Sequence, residues 1–311
     1  MSKYLVTGGA GFIGSNIVYA LVERGEDVTV LDDFSTGKLG NLEGVLQKIR
    51  LVETDICNKH RASEIMRGID YVLHQAALPS VARSVANPLV SNKVQVYGTL
   101  NMLWAACQAG VKRFVYAGSS SVYGDSEVLP KREDMTLAPK SPYAVGKLAG
   151  EHYCKVFNEI YGLETVVLRY FNVFGPRQDP ASRYSAVIPL FINAALEDKE
   201  VTIYGDGLQS RDFTYVSNVV DANLKAVESD GAAGQTMNIA YGGRTTLLEL
   251  LDAISEITGR KIPVKHQDPR PGDVKHSHAD ITRAREILAY QPAVDLKEGL
   301  KKTAEFFSKR P

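Results

Sequence analysis

The sequence predicts an α/β fold: a Rossmann-type doubly wound parallel sheet followed by a smaller α/β region that binds substrate. Three observations carry this expectation. Short apolar runs alternate with longer helical patterns through roughly the first 170 residues. A glycine-rich turn joins the first run to the first helix. From about Asn172 onward the texture becomes polar and loop-rich.

The runs "YLVTGG", "DVTVLDD", "IRLVETD", "DYVLHQAA", "KRFVYAGSS" and "LETVVLRYFN" are rich in Val, Leu, Tyr and Phe. Strands covered on both faces read as nearly continuous apolar runs of this kind. Between them, residues 13–23, 88–108 and 143–161 repeat apolar side chains at helical spacing. Strands alternating with helices give βαβ units and a parallel sheet. Downstream, "GPRQDPASRYSAV", "YGDGLQSRDF" and "KHQDPRPGD" are punctuated by Gly and Pro. Helical patterns return at residues 187–196, 247–258 and 297–307. The expected division is a first domain of residues 1–171 and a second region of 172–311, with elements from about 210–240 returning to the first.

Composition excludes several classes. The 311 residues carry 36 Lys+Arg and 36 Asp+Glu, a formal net charge of zero, without the basic footprint of a nucleic-acid binder. No apolar run reaches the roughly 18–20 residues of a membrane span. The start, "MSKYLVTGG", enters a strand at once and lacks the regions of a signal peptide. Cys57, Cys107 and Cys154 are far apart and suggest neither a metal site nor a disulfide framework. They read as small buried apolar residues in a reducing cytoplasm.

The stretch "YLVTGGAGFIGSNIVYALVERG" reads as strand, glycine turn and helix. Gly8, Gly11 and Gly14 form G-x-x-G-x-x-G, and Gly9, Gly11 and Gly14 equally satisfy G-x-G-x-x-G. A tight turn, close approach to a pyrophosphate and close helix packing each require a missing Cβ. The helix start then offers unpaired N–H groups to phosphate. The second strand ends at Asp32, eighteen residues after Gly14, where a carboxylate holds a ribose diol in dinucleotide sites. Asp33 follows, and Lys38 is the nearest cation. A carboxylate there repels a 2′-phosphate, so NAD is expected rather than NADP. Asp55 and Ile56 are placed to flank the adenine, and Gln75, Ala76 and Ala77 to let the cofactor backbone pass closely. His74 reads as a packed strand-end histidine.

The chemistry rests on two further stretches. "YAGSSSVYGD" ends a strand in the hydroxyls Ser119, Ser120 and Ser121, and "SPYAVGKLAGEHY" begins a helix with Tyr143 and Lys147 on one face. A free phenol has a pKa of about 10, a poor base at neutral pH. A nearby ammonium and a positive nicotinamide ring both favour phenolate. Bringing it near 7 requires about 4 kcal/mol at about 1.36 per unit. Such a phenolate removes an alcohol proton while hydride leaves the same carbon for NAD, and the serine hydroxyls hold the oxygen.

Taken in order, "TGGAGFIGS", "LDDFSTG", "HQAA", "SSSVYG", "YAVGK", "RYFNVFGPRQ", "SRDFTYV" and "RPGD" cover nearly the whole chain. With them the sequence resembles the extended short-chain dehydrogenase/reductases, specifically the nucleotide-sugar 4-epimerases that act on UDP-hexoses. The resemblance implies Ser119, Tyr143 and Lys147 as catalytic residues, with Ser120 and Ser121 beside the substrate. It implies cofactor contacts from Phe12, Ile13, Ser35, Thr36, Gly37 and Tyr170 as well. Gln95 stands where the family often has an Asn near the nicotinamide ribose.

For a UDP-sugar partner, the resemblance places Asn172 on the substrate phosphate or sugar. Val187, Ile188 and Tyr204 surround the uracil, Arg211 and Arg270 hold the pyrophosphate, and Asp273 lies near the uridine ribose. Ser277, seven residues after Arg270, becomes a gatekeeper beside the sugar C2 substituent, where a small residue leaves room for an N-acetyl group. His276 and His278 flank it, and without a third ligand at suitable spacing they read as strand-edge residues rather than a metal site. The resemblance also implies a homodimer, in which the two long helical patterns pair into a four-helix bundle.

Other readings share the scaffold. A sugar-nucleotide 4,6-dehydratase needs an Asp–Glu pair where Ser120 and Ser121 stand. A UDP-uronate 4-epimerase or decarboxylase remains open. A nucleotide-sensing regulator without turnover would not require Ser119, Tyr143 and Lys147 together.

Overall fold

The six apolar runs become six strands, β1 Lys3–Thr7, β2 Asp27–Asp32, β3 Arg50–Glu53, β4 Tyr71–His74, β5 Arg113–Ser119 and β6 Glu164–Tyr170. They come from a computed structural model that describes residues 1–180, 186–268 and 275–309. A seventh strand, β7 Thr236–Ile239, pairs in parallel with β6. The order across the sheet is β7-β6-β5-β4-β1-β2-β3, with every neighbouring pair parallel. Order runs outward in both directions from β1 and β4, so the chain reverses between them. Ligands of open parallel sheets bind at the carboxyl ends of the strands beside such a reversal.

Side chains of a strand alternate between faces, and β1 shows the consequence. Leu5 belongs to the core beneath one face and Val6 to the core beneath the other, both fully buried. Helices α1 Phe12–Glu23 and Val216–Glu228 supply Ile17, Leu21, Val219 and Leu224 to the face of Val6. Helices Thr99–Ala109 and Pro142–Tyr161 supply Met102, Leu103, Cys154 and Phe157 to the face of Leu5. Helix Val216–Glu228, not expected from the sequence, buries Asn218 and Asn223 among its apolar residues. Asn218 bonds the backbone of Ala293 and Val294, and Asn223 bonds Val219 O and Tyr170.

The expected single helix over 88–108 is divided. Pro88–Asn92 is α-helical, Lys93–Gly98 is a π-helical turn, and α-helix resumes at Thr99. Such insertions occur mostly as single turns and often beside functional sites.

The second region has its own core. Helices Val187–Leu196, Leu247–Thr258 and Leu296–Ser308 enclose Phe174, Ile203, Phe213 and Tyr215. Strand Val201–Tyr204 pairs in parallel with Val264–Gln267. Among the described residues no helix is long and apolar enough to cross a membrane.

Candidate active site

The carboxyl ends of the sheet strands open onto a cleft of about 400 Å³. Its floor is backbone. Gly8 has φ +65°, and a Cβ there would lie 2.7 Å from Ala76 N; a Cβ on Gly14 would lie 2.1 Å from Gly8 O. The first position needs the turn and the approach of β4, and the second needs close packing of the helix on that turn. Helix α1 starts from Gly11 with no side-chain cap, and Phe12, Ile13 and Gly14 line the cleft. An uncapped helix start with its positive dipole end is an anion site.

Asp32 closes β2 and is buried at the cleft wall. Its carboxylate accepts the Ala10 and Phe34 N–H groups, each at 2.9 Å. Burial pushes its pKa up, and those two donors oppose the shift. Asp33 accepts from the Ser35 N–H at 3.0 Å and from its hydroxyl at 2.6 Å. Asp33, Ser35, Thr36, Asp55 and Ile56 line the same cleft, as do Gln75, Ala76, Ala77 and Tyr170. A backbone floor, an uncapped helix and a buried acid at the end of β2 fit a dinucleotide's pyrophosphate and ribose. The residues placed there fit NAD.

The base helix begins in a defined way. Ser141 caps it by accepting Ala144 N–H at 3.2 Å, with Pro142 in the first turn, so Tyr143 falls beside the end of β5. The Ser119 side chain lies close enough to the Tyr143 phenol to influence its titration. Ser119 Oγ accepts from the Ser121 N–H at 3.2 Å and from its hydroxyl at 2.9 Å. Lys147 is 4% exposed, and its Nζ donates to Ala117 O at 2.8 Å. That nitrogen lies 6.0 Å from the Tyr143 ring centroid. Burial pulls Lys147 down to about 8, and the Glu151 carboxylate opposes this. In the protein alone, burial pushes the Tyr143 phenol up, against the influence of Ser119. Ala117 O takes one of the three N–H donors of the Lys147 ammonium.

His74 is a packing residue, as expected. Its Nδ1 pairs with Thr7 Oγ1 at 2.8 Å and its Nε2 with Thr99 Oγ1 at 3.2 Å. Burial, assisted by the Lys147 charge, holds its pKa down at about 3.

A second cavity of about 310 Å³ adjoins the cleft through Ala186, which lines both. Asn172, Val187, Ile188, Tyr204 and Arg211 line it. Asn172, at φ +35°, donates from Nδ2 to Asp212 O at 3.2 Å and to Ser277 Oγ at 3.4 Å. Two residues 105 apart in sequence, both placed on the sugar side, thus meet. Arg211 donates to Ser210 O at 3.0 Å and Lys275 O at 3.1 Å. His276 Nδ1 pairs with Ser210 Oγ of a short strand at 2.8 Å, and His278 Nε2 with Gly242 O in a bend at 3.3 Å. Arg270 and Asp273 lie outside the described residues.

Some placements differ from expectation. Gln95 is 1% exposed in the π-helical turn and does not line the cleft. Its Nε2 donates to Ser91 Oγ at 3.2 Å, while its Oε1 has no hydrogen-bond partner. Its Cβ packs against Gly146, so this longer amide lies behind the base helix rather than in the cleft. Gly37 sits against the Asp32 carboxylate, also off the cleft lining. Arg83 and Arg177, which out of motif context read as solvated surface arginines, line the cleft wall with Gln178, and pattern reading missed Gln178 and the buried Asp212. The fully buried Asp212 carboxylate accepts Gly242 and Ala279 N–H groups at 3.1 Å each. Burial pushes it up to about 6. Its only signal was its place in "SRDF".

Comparison with known proteins bears on this arrangement. Residues 4–240 match the model of the NAD dependent epimerase/dehydratase family. The UDP-glucose 4-epimerase of Mycolicibacterium smegmatis is 40% identical over 98% of each chain. Among solved structures, a UDP-N-acetylglucosamine 4-epimerase from Methanobrevibacter ruminantium, in complex with UDP-N-acetylmuramic acid, superposes with a TM-score of 0.95. It is 42% identical, covering 99% of this chain and 98% of its own. A UDP-glucose 4-epimerase from Thermotoga maritima with UDP-glucose superposes with a TM-score of 0.94 at 40% identity, covering 99% of each chain.

Proposed function

The chain belongs to the NAD dependent epimerase/dehydratase family, and from that premise we propose that it inverts C4 of a UDP-hexose, chiefly between UDP-GlcNAc and UDP-GalNAc. UDP-glucose and UDP-galactose form the secondary pair. The observation that carries the reading is Tyr143 and Lys147 in one cleft beside the glycine turn, with the Ser119 side chain close enough to act on the Tyr143 phenol.

In this reading Gly8, Gly11, Gly14 and Asp32 hold the dinucleotide, and Arg211 with Arg270 grips the UDP pyrophosphate. Bound NAD supplies an oxidant for C4 that returns its hydride later. Ser119 Oγ orients the sugar 4-oxygen, and Tyr143 Oη takes its proton as general base. The buried Lys147 ammonium stabilises the resulting charge distribution. A firm hold on UDP and a loose one on the hexose let the 4-keto sugar turn about its phosphate link. Once C4 has been re-reduced from its other face, Tyr143 returns the proton to the 4-oxygen. No net oxidation follows, so the cofactor stays in place.

Ser277 supports the choice of hexose. It is small, and its hydroxyl lies 3.4 Å from Asn172 Nδ2 on the sugar side. In this reading a small residue here admits an acetamido group that a Tyr would exclude. Purified protein incubated separately with UDP-GlcNAc, UDP-glucose and UDP-glucuronate tests the reading, with products separated by chromatography. UDP-GalNAc should form fastest. Turnover of the uronate alone, or of none of the three, overturns it.

A further inference from the structure

Three buried side chains that this reaction does not use lie directly behind it. Arg169 on β6 and Glu151 on helix Pro142–Tyr161 form an ion pair with both side chains 5% exposed. Arg169 Nε donates to the two carboxylate oxygens at 3.2 and 3.1 Å, and a terminal nitrogen donates at 2.8 Å. The other terminal nitrogen donates to Tyr123 Oη at 2.8 Å, and that hydroxyl donates to Asn238 Oδ1 at 2.7 Å. In the sheet Arg169 stands in register between Gly118 and Asn238.

A buried ion pair is a weak source of stability, because both charges lose their hydration and apolar replacements often fold as well. Its distinctive property is geometric. A planar guanidinium holds its partners in a fixed fork. Here the fork reaches two different elements. Glu151 lies one helical turn beyond Lys147, and Tyr123 closes the short turn Ser120–Tyr123 that begins directly after Ser119.

We propose that Glu151, Arg169 and Tyr123 form a positioning network that locks the Ser119 turn to the helix bearing Tyr143 and Lys147. The same network sets a negative charge one turn from the Lys147 ammonium. This rests on the epimerase reading for its consequence in turnover, though its effect on Tyr143 can be read without turnover. The groups around Lys147 are few. Glu151 and Cys154 follow it on its own helix, and Tyr143 precedes it. His74 on β4 and Tyr116 on β5 face it from the sheet. Burial keeps His74 neutral and pushes the Cys154 thiol and Tyr116 phenol up. Glu151 is thus the negative charge that holds Lys147 protonated against burial.

Two variants separate geometry from charge. Glu151→Met with Arg169→Met removes both charges and retains unbranched side chains of similar length. Tyr123→Phe removes one hydroxyl and leaves the ion pair. Each is examined for thermal melting, UDP affinity and kcat. Tyrosinate formation at Tyr143 is followed by ultraviolet difference titration against Tyr143→Phe, with and without added NAD.

The double variant should fold, bind UDP as wild type does and lose about 100-fold in kcat, the cost of about 1 Å of misplacement. Its Tyr143 titration should move to higher pH. Tyr123→Phe should lose part of that turnover, about tenfold, with its Tyr143 titration unmoved. A folded double variant with unchanged kcat and unchanged titration shows the pair to be structural and overturns the proposal. If the double variant fails to fold, Tyr123→Phe decides alone, since wild-type kcat there overturns it. If wild type itself turns over no UDP-hexose, the epimerase reading fails, and the tyrosinate titration still decides the network.

Discussion

Ser119 and Tyr143, 24 residues apart in the sequence, are brought together where a strand's last residue meets a helix's first turn. The contact joins a group able to hold an alcohol oxygen to one able to remove its proton.

Replacing Tyr143 with Phe should therefore lower kcat by about two to four orders of magnitude, the usual contribution of a general base. Calorimetry should find UDP affinity nearly unchanged, because Asn172 and Arg211 line a separate cavity. Near-normal turnover in this variant would place the base elsewhere.

Lys147 predicts opposite trends for activity and stability. Its ammonium is retained below about 8 in the folded protein, against 10.5 for an unperturbed lysine. As pH rises through about 8 the charge that supports the phenolate is lost, so kcat should decline. Between the two values the unfolded chain binds the extra proton and the folded chain does not, so this group's contribution to stability rises with pH. Urea midpoints of wild type measured against Lys147→Met, alongside a pH–rate profile, check both signs. A profile flat through about pH 8 to 10 refutes the assignment.

Asp32 and the glycine turn predict the cofactor. Protein purified without added nucleotide and then denatured should release NAD. Release of NADP would contradict the argument from Asp32, whose carboxylate on the cleft wall at the end of β2 would repel a 2′-phosphate.

Helix segments at 81–109 and 142–161 carry apolar side chains that the sheet does not cover. Leu89 is 81% exposed, Val85 63% and Ile160 70%. A second copy related by a two-fold axis would bury them in a four-helix bundle. Light scattering at micromolar concentration should give the dimer mass, and Leu89→Glu with Ile160→Glu should give the monomer. A wild-type monomer would remove the prediction.

Ser277→Tyr tests the hexose. Overpacking a formed site costs about 1–3 kcal/mol, roughly ten- to a hundred-fold in specificity. The variant should lose kcat/KM for UDP-GlcNAc and keep it for UDP-glucose. Equal losses for both, or a wild type that already prefers the plain hexose, would sink the gatekeeper argument.

Local pattern was enough for six of the seven sheet strands, the glycine turn and the Tyr143–Lys147 helix. Each is set by near neighbours: continuous apolar runs, missing Cβ atoms, and one helical turn between two side chains. The sequence by itself thus determined the architecture and most residues of the cleft. Other features were not legible. Strand Thr236–Ile239 exists because β6 offers it an edge, and helix Val216–Glu228 because Asn218 and Asn223 find partners far along the chain. Gln95 matched a cofactor position in the linear alignment, yet the π-helical turn packs it behind the base helix. Asp212 shows only as one letter of "SRDF", and the Glu151–Arg169 pair carries no local signal at all. Their burial is tolerable only when distant groups supply the hydrogen bonds and countercharge, and only the tertiary structure decides which groups those are.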